Sequence, residues 1–268
     1  MKKHLIMLPF GIIFLAFSVI PLLLMILDSF QSDVTNEWTI ANYTTILNNP
    51  YYNKAFINSF LIATVSSLLG LTGAFILCLC LLNLSKRTQE KITFVSNLAA
   101  NFAGVPLAFS FIILLGNVGV LKMLFPLLEG FNLYSWLGLA VTYVYFQIPL
   151  GLLFIYPSIK EVKKEWIDSV ALLGGSKGYA WRKVAFPFLR PSIMSTFVIL
   201  FANGMGTYET AYALTGSNIN LLTIRIGSLV SGDVFAKPNL GSALALLFGL
   251  ILILAMILTQ WVGRKVRG

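Results

Sequence analysis

Apolar residues fill most of the chain in blocks of about twenty, the length that crosses the hydrocarbon core of a bilayer as a helix. Two blocks stand out: "LIMLPFGIIFLAFSVIPLLLMIL" from Leu5 to Leu27, and "LFGLILILAMILTQWV" near the C-terminus. The whole pattern predicts an all-α membrane protein with six spans, at about 5–27, 56–83, 95–116, 134–158, 191–215 and 242–262. The third and fifth blocks are diluted by Asn101, Ser110, Asn203 and Glu209. Residues 119–128 are too short to cross and predict an interfacial or re-entrant helix. The first block is too long for the apolar region of a signal peptide and precedes no small-x-small cleavage site, so it is expected to stay as the first span. Pro149 and Pro157 in the fourth block predict tolerated kinks. Gly70, Gly73, Gly204 and Gly206 predict close helix approach.

Composition agrees with this pattern. The chain is 57% hydrophobic and 11% charged, against about a quarter charged in soluble domains. The net charge of +9 does not indicate nucleic-acid binding, because the basic residues sit at the ends of apolar blocks. Of 19 Lys and Arg, only Lys54, Lys122, Arg225 and Lys237 fall in the loops on one side of the six-span layout. By the positive-inside rule, both termini and the 159–190 loop are cytoplasmic. Cys78 and Cys80 lie within a span and read as small apolar residues. With one histidine, His4, they form no zinc set.

Between the fourth and fifth spans lies a polar stretch, "EWIDSVALLGGSKGYAWRKVAFPFLRP". Val162, Trp166, Val170 and Leu173 recur near helical spacing. Gly174-Gly175 suits a helix stop, and Ser176 suits the cap of a second short helix. Phe186-Pro187 and Arg190-Pro191 are expected to end that helix and launch the fifth span. Both a compact cytoplasmic plug and an amphipathic interfacial helix satisfy this pattern.

This stretch resembles the cytoplasmic loop of inner-membrane permease subunits of binding-protein-dependent ABC importers. Asp168-Ser169-Val170 stands where that family has Glu-Ala-Ala. Gly174 follows at the family spacing, and Phe186-Pro187 matches its hydrophobic-Pro exit. "LLGGS" and "FPFLRPSI" are also similar to the family pattern. The first span, and "NYTTILNN" with "NSFLIATVSSLLGLTGA", resemble the spermidine/putrescine type.

The resemblance implies a type I importer fold, with one permease domain over 1–268 and a coupling loop at 159–190. Asp168, Ser169, Val170, Gly174, Gly175, Ser176 and Pro187 would couple it to an ATPase. It implies two cytoplasmic ATPase subunits carrying ATP and Mg, and no cofactor on this chain. It further implies a second, different permease subunit, an extracellular solute-binding protein, and a bacterial inner-membrane location. The chain has no P-loop. A polyamine is the first solute implied; 2-aminoethylphosphonate, ferric iron and thiamine stay open.

Glu209 is the one carboxylate placed inside a block, and intramembrane charges mark pathways. It would stabilise a passing amine, or else sit at the interface or pair with a neighbour's base. Asn203, Thr207 and Tyr208 are expected on its helix. Asn101 and Gln147 are further polar candidates, with interhelical hydrogen bonds as their other reading. Tyr143, Tyr145 and Phe146 offer either a cation–π wall or simple packing. A secondary transporter is disfavoured by few intramembrane charges and no visible inverted repeat. A membrane enzyme is disfavoured by the single His4.

Overall fold

The computed structural model describes residues 9–231 and 236–265, so Lys2, Lys3, His4, the start of the first expected span and Arg267 lie outside it. Among the described residues the named elements are helices, with one isolated antiparallel bridge between Gln31 and Trp38. Six helical stretches are long and apolar enough to cross a membrane. They are α1 (Pro9–Ser29), α3 (Pro50–Leu82), the stretch Val105–Leu124, α7 (Trp136–Lys160), α9 (Lys177–Gly206) and Pro238–Ile257 within α12 (Pro238–Lys265). Between them run α2 (Ala41–Asn48), α4 (Lys86–Asn101), α8 (Lys164–Leu172), α10 (Glu209–Thr215) and α11 (Leu222–Ser231). The Val105–Leu124 stretch comprises α5 (Val105–Leu115) and α6 (Val120–Leu124) on either side of a turn. Residues 119–128 thus form the short α6 and a 3-10 turn at Pro126–Leu128.

The chain divides into two compact units. One takes the chain up to Ile57 together with Asn220–Ile253; the other takes Asn58–Ile219 and the chain from Leu254. In the first, Asn42 donates to the carbonyls of Ser29 (3.0 Å) and Gln31 (2.8 Å), closing the turn after α1. Asp33 accepts the backbone N–H groups of Asn239 (2.8 Å) and Leu240 (3.1 Å). Its carboxylate therefore caps the first turn of α12, where Pro238 offers no N–H. Arg225 lies over the Tyr51 ring at 4.7 Å and donates to Asn220 Oδ1 at 2.6 Å.

In the second unit α7 is central, with buried residues around much of its circumference. Cys78 is buried in a cluster with Ala74, Leu81, Leu152, Ile155 and Leu189, as a small apolar residue should be. Cys80 is exposed on the other face of α3. Gln147 of α7 is fully buried and donates to Ser66 Oγ (3.2 Å) and the Leu200 carbonyl (3.4 Å). Gly70 and Gly204 leave room for it: a Cβ on Gly70 would lie 2.7 Å from Gln147 Cβ, and one on Gly204 2.9 Å from Nε2. Gly206, by contrast, packs against nothing.

Two expected spans have different bounds. The 95–116 block is split: α4 ends at Asn101, Phe102–Gly104 are not helical, and α5 starts at Val105. Gly104 adopts φ +77°, a conformation glycine alone takes without strain, and Pro106 follows in the first turn. The 191–215 block is likewise not one helix. Its helix begins at Lys177, ends at Gly206, and α10 starts only at Glu209.

The expected proline stops at 187 and 191 are also absent, and for Pro187 a π turn gives the reason. Trp181–Ala185 is π-helical, with Phe186 N–H donating to the Trp181 carbonyl. A proline ring collides with the carbonyl four residues back, here that of Lys183. The wide turn holds that carbonyl away, so the helix continues. The same device precedes Pro21 in α1, where Leu15–Val19 is π-helical.

Candidate functional site

Two places bring the candidate residues together: the elbow after α8, and the paired helix breaks.

At the elbow, α8 closes with the two bonds of a Schellman motif. Gly175 N–H donates to the Val170 carbonyl (2.9 Å) and Gly174 N–H to that of Ala171 (3.0 Å). Gly174 sits at φ +80° with open space around it. Gly175 is needed for a second reason, since a Cβ there would lie 2.6 Å from Val170 Cγ1. Ser176 Oγ then accepts the Tyr179 N–H at 3.2 Å, capping the start of α9. The elbow is rooted by Trp166, edge-on to Phe188 at 5.1 Å, and by Val162 and Trp181 against the buried cluster. Its tip presents Leu172 and Leu173, each 89% exposed, and Asp168 is exposed beside them. Ser169 turns its hydroxyl back to the Glu165 carbonyl (2.7 Å). Pro187 lies within α9 rather than at its end.

At the breaks, Phe102–Gly104 meets Thr207–Tyr208. Gly104 N–H donates to Thr210 Oγ1 (2.9 Å), whose own hydroxyl donates to the Gly104 carbonyl (3.2 Å). Tyr143, 1% exposed on α7, donates its hydroxyl to the Thr207 carbonyl at 3.1 Å. Thr207 Oγ1 donates to the Asn203 carbonyl (2.7 Å). Backbone groups freed by the two breaks are thus taken up by side chains, as apolar surroundings require. Glu209 starts α10 with its carboxylate over Gly104: a Cβ on Gly104 would meet Glu209 Oε2. The negative group therefore lies at the positive end of α5. Tyr208 stacks on Tyr212 at 5.4 Å and 17°, and both are exposed.

Of the expected pathway residues, Glu209, Tyr208, Thr207 and Tyr143 meet at this node. Asn203 is exposed on the last turn of α9, but Tyr208 is past the helix end and does not share its face. Asn101 is exposed and donates to the Asn97 carbonyl (2.8 Å) and Oδ1 (2.9 Å). Gln147 is a buried pin between helices instead of a lining residue. The aromatic wall also dissolves. Tyr143 and Phe146 face the core, whereas Tyr145 is 45% exposed against Phe111. Neighbours on a helix point about 100° apart, so successive aromatics cannot form one wall. Thr210 and Tyr212 were not expected; the T-Y-E-T-A-Y order carries no periodic signal once the helix breaks.

No protein-family model matches the chain. It is 24% identical over 275 residues to the spermidine/putrescine transport system permease protein PotC homolog of Mycoplasma genitalium, covering 96% of this chain and 90% of that protein. It is 21% identical over 248 residues to the corresponding PotC permease of Escherichia coli K12, covering 90% and 88%. Among solved structures, it superimposes on a chain of a bacterial alginate ABC transporter in complex with an alginate-pentasaccharide-bound periplasmic protein. There the TM-score is 0.77 with 13% identity, covering 99% of this chain and 94% of the other. The fold is that of an ABC-importer permease subunit.

Proposed function

We propose that this chain is one membrane permease subunit of an ATP-driven polyamine importer, lying in a bacterial inner membrane with both termini cytoplasmic. One observation carries the coupling part: a rigid two-helix elbow, closed by paired backbone bonds, that holds two leucines 89% exposed at its tip. Exposed leucines side by side on an ordered tip suit burial in a partner's apolar groove. The partner is a cytoplasmic ATPase that carries ATP and Mg; this chain binds neither and performs no hydrolysis. Movement of that ATPase would push the elbow, and through the unbroken α9 the motion would reach the breaks at Thr207–Tyr208. A second, different permease subunit completes the pathway, and an extracellular solute-binding protein delivers to it.

The solute reading is supported by the PotC-type relatives and by the node. Glu209 supplies a carboxylate, and the stacked Tyr208 and Tyr212 supply aromatic faces, both suited to an ammonium group. The alginate transporter shares the fold and handles a polyanion, so the fold by itself selects no ligand.

The test is gentle co-purification of the tagged chain, followed by spermidine-stimulated ATPase activity in proteoliposomes. An ATPase subunit is expected to follow wild type and to be lost from Leu172→Asp/Leu173→Asp. An intact complex in that variant removes the elbow from the interface. Thiol labelling of Leu173→Cys in a Cys78→Ala/Cys80→Ala background checks the side: reaction from outside the cell reverses the orientation.

A further inference from the structure

A cavity of about 480 Å³ lies beside α4 and the end of α7, with Lys86, Gln89, Glu90, Phe94, Tyr156 and Lys160 in its lining. Its floor is fixed. Tyr156 donates to Gln89 Oε1 at 2.8 Å, and Gln89 Nε2 donates to the carbonyls of Leu81 and Leu84, both at 3.0 Å. Both Gln89 N–H donors are thus spent within the chain, so it offers none to an anion and serves as structure. The rim is free. Lys86 and Lys160 make no ion pair among the described residues, and Lys160 is held over the Tyr156 ring at 5.1 Å.

The cavity is lined by α4 from Lys86 to Asn97, and the sequence of that helix changes character sharply. Lys86, Arg87, Glu90 and Lys91 fall in the first six residues, and none of Ile92–Asn101 is charged. Six residues rise about 9 Å, comparable with a headgroup layer. The cavity spans that boundary, with Lys86 and Glu90 on the charged side of it and the uncharged Thr93, Phe94, 64% exposed, and Asn97 beyond it. A ligand that is anionic at one end and apolar at the other fits this gradient; a small soluble anion does not use the upper half.

We infer that the cavity seats an anionic phospholipid, of phosphatidylglycerol type, from the leaflet on the elbow's side. This rests on the membrane-spanning reading above. Lys86 and Lys160 take the phosphodiester, Glu90 accepts from the glycerol hydroxyls, and the acyl chain lies on Phe94. Two lysines against one carboxylate leave a net positive site, which favours phosphatidylglycerol over zwitterionic phosphatidylethanolamine.

The experiment is native mass spectrometry of the full chain with the partners it retains, titrated with each lipid in neutral detergent. Phosphatidylglycerol is expected to bind in preference to phosphatidylethanolamine. Lys86→Gln/Lys160→Gln should weaken it by about thirtyfold, at about 1 kcal/mol per lysine. Lys86→Arg/Lys160→Arg should retain it, and Lys54→Gln/Lys122→Gln, removing two lysines elsewhere, should change nothing. Equal binding of both lipids, or indifference to the Gln pair, overturns the proposal. So does displacement by millimolar glycerol 3-phosphate, which would make this a soluble-phosphate site. The readout needs neither ATPase nor solute, so its failure leaves the importer reading standing, and loss of that reading leaves lipid binding measurable.

Discussion

Gly174 is the position where a single atom tests the elbow. Its φ of +80° lies in the left-handed region, and nothing stands within 4 Å of a Cβ built on it. Replacement by Ala therefore adds no collision within the chain, and the whole effect is backbone strain. For an L residue that is about 1–2 kcal/mol, a factor of about 5–30 in the population of the closed elbow. Asn, though larger, tolerates the left-handed region and should cost much less. A β-branched Val should cost more than Ala. Affinity of the nanodisc-embedded chain for its ATPase subunit, read by fluorescence titration, should fall in the order Gly, Asn, Ala, Val. Ala should bind about 5–30-fold more weakly than wild type, and Asn within a few-fold. Equal loss in Asn, Ala and Val would mean that added size at the interface, not φ, sets binding. No loss in any would mean that the Schellman closure is irrelevant to docking.

Gly204→Ala should lower the thermal inactivation temperature by the about 1–3 kcal/mol typical of overpacking. Its Cβ would meet Gln147 Nε2 at 2.9 Å and the Ala63 backbone at 3.3 Å, and the shift is read by thermal unfolding in detergent. Glu209→Gln should raise the KM for spermidine uptake about tenfold or more while leaving complex assembly intact; unchanged uptake kinetics would take Glu209 off the pathway. Asp33→Ala should leave the α12 N–H groups of Asn239 and Leu240 without their cap, a loss of about 1 kcal/mol. Faster hydrogen exchange confined to that first turn is the expected sign.

The six crossings were legible because window-averaged hydropathy and bilayer thickness both operate at about twenty residues. Gly174 and Ser176 were legible because their roles are local: a left-handed stop and a side-chain cap need no distant partner. The breaks at Phe102–Gly104 and Thr207–Tyr208 were hidden by the same averaging, since apolar residues flank both. Pro187 misled because a proline in a regular α-helix does disrupt it, and the π turn that accommodates it leaves no mark in composition. Gln147 and Tyr143 show a further limit. Both sit on a helix buried on several sides, where amphipathic periodicity no longer tells a lining face from a packed one.

The Gly104–Thr210 clasp has a mechanical consequence. It fastens α5 and α10 to each other by two hydrogen bonds, whereas α4 and α9 reach them only through short unwound linkers. Under the proposed coupling, a stroke transmitted along α9 would arrive at a knuckle, and the clasped helices beyond it would turn as one piece. A carboxylate mounted on that knuckle would be re-aimed by a small rotation, without any long helix having to slide.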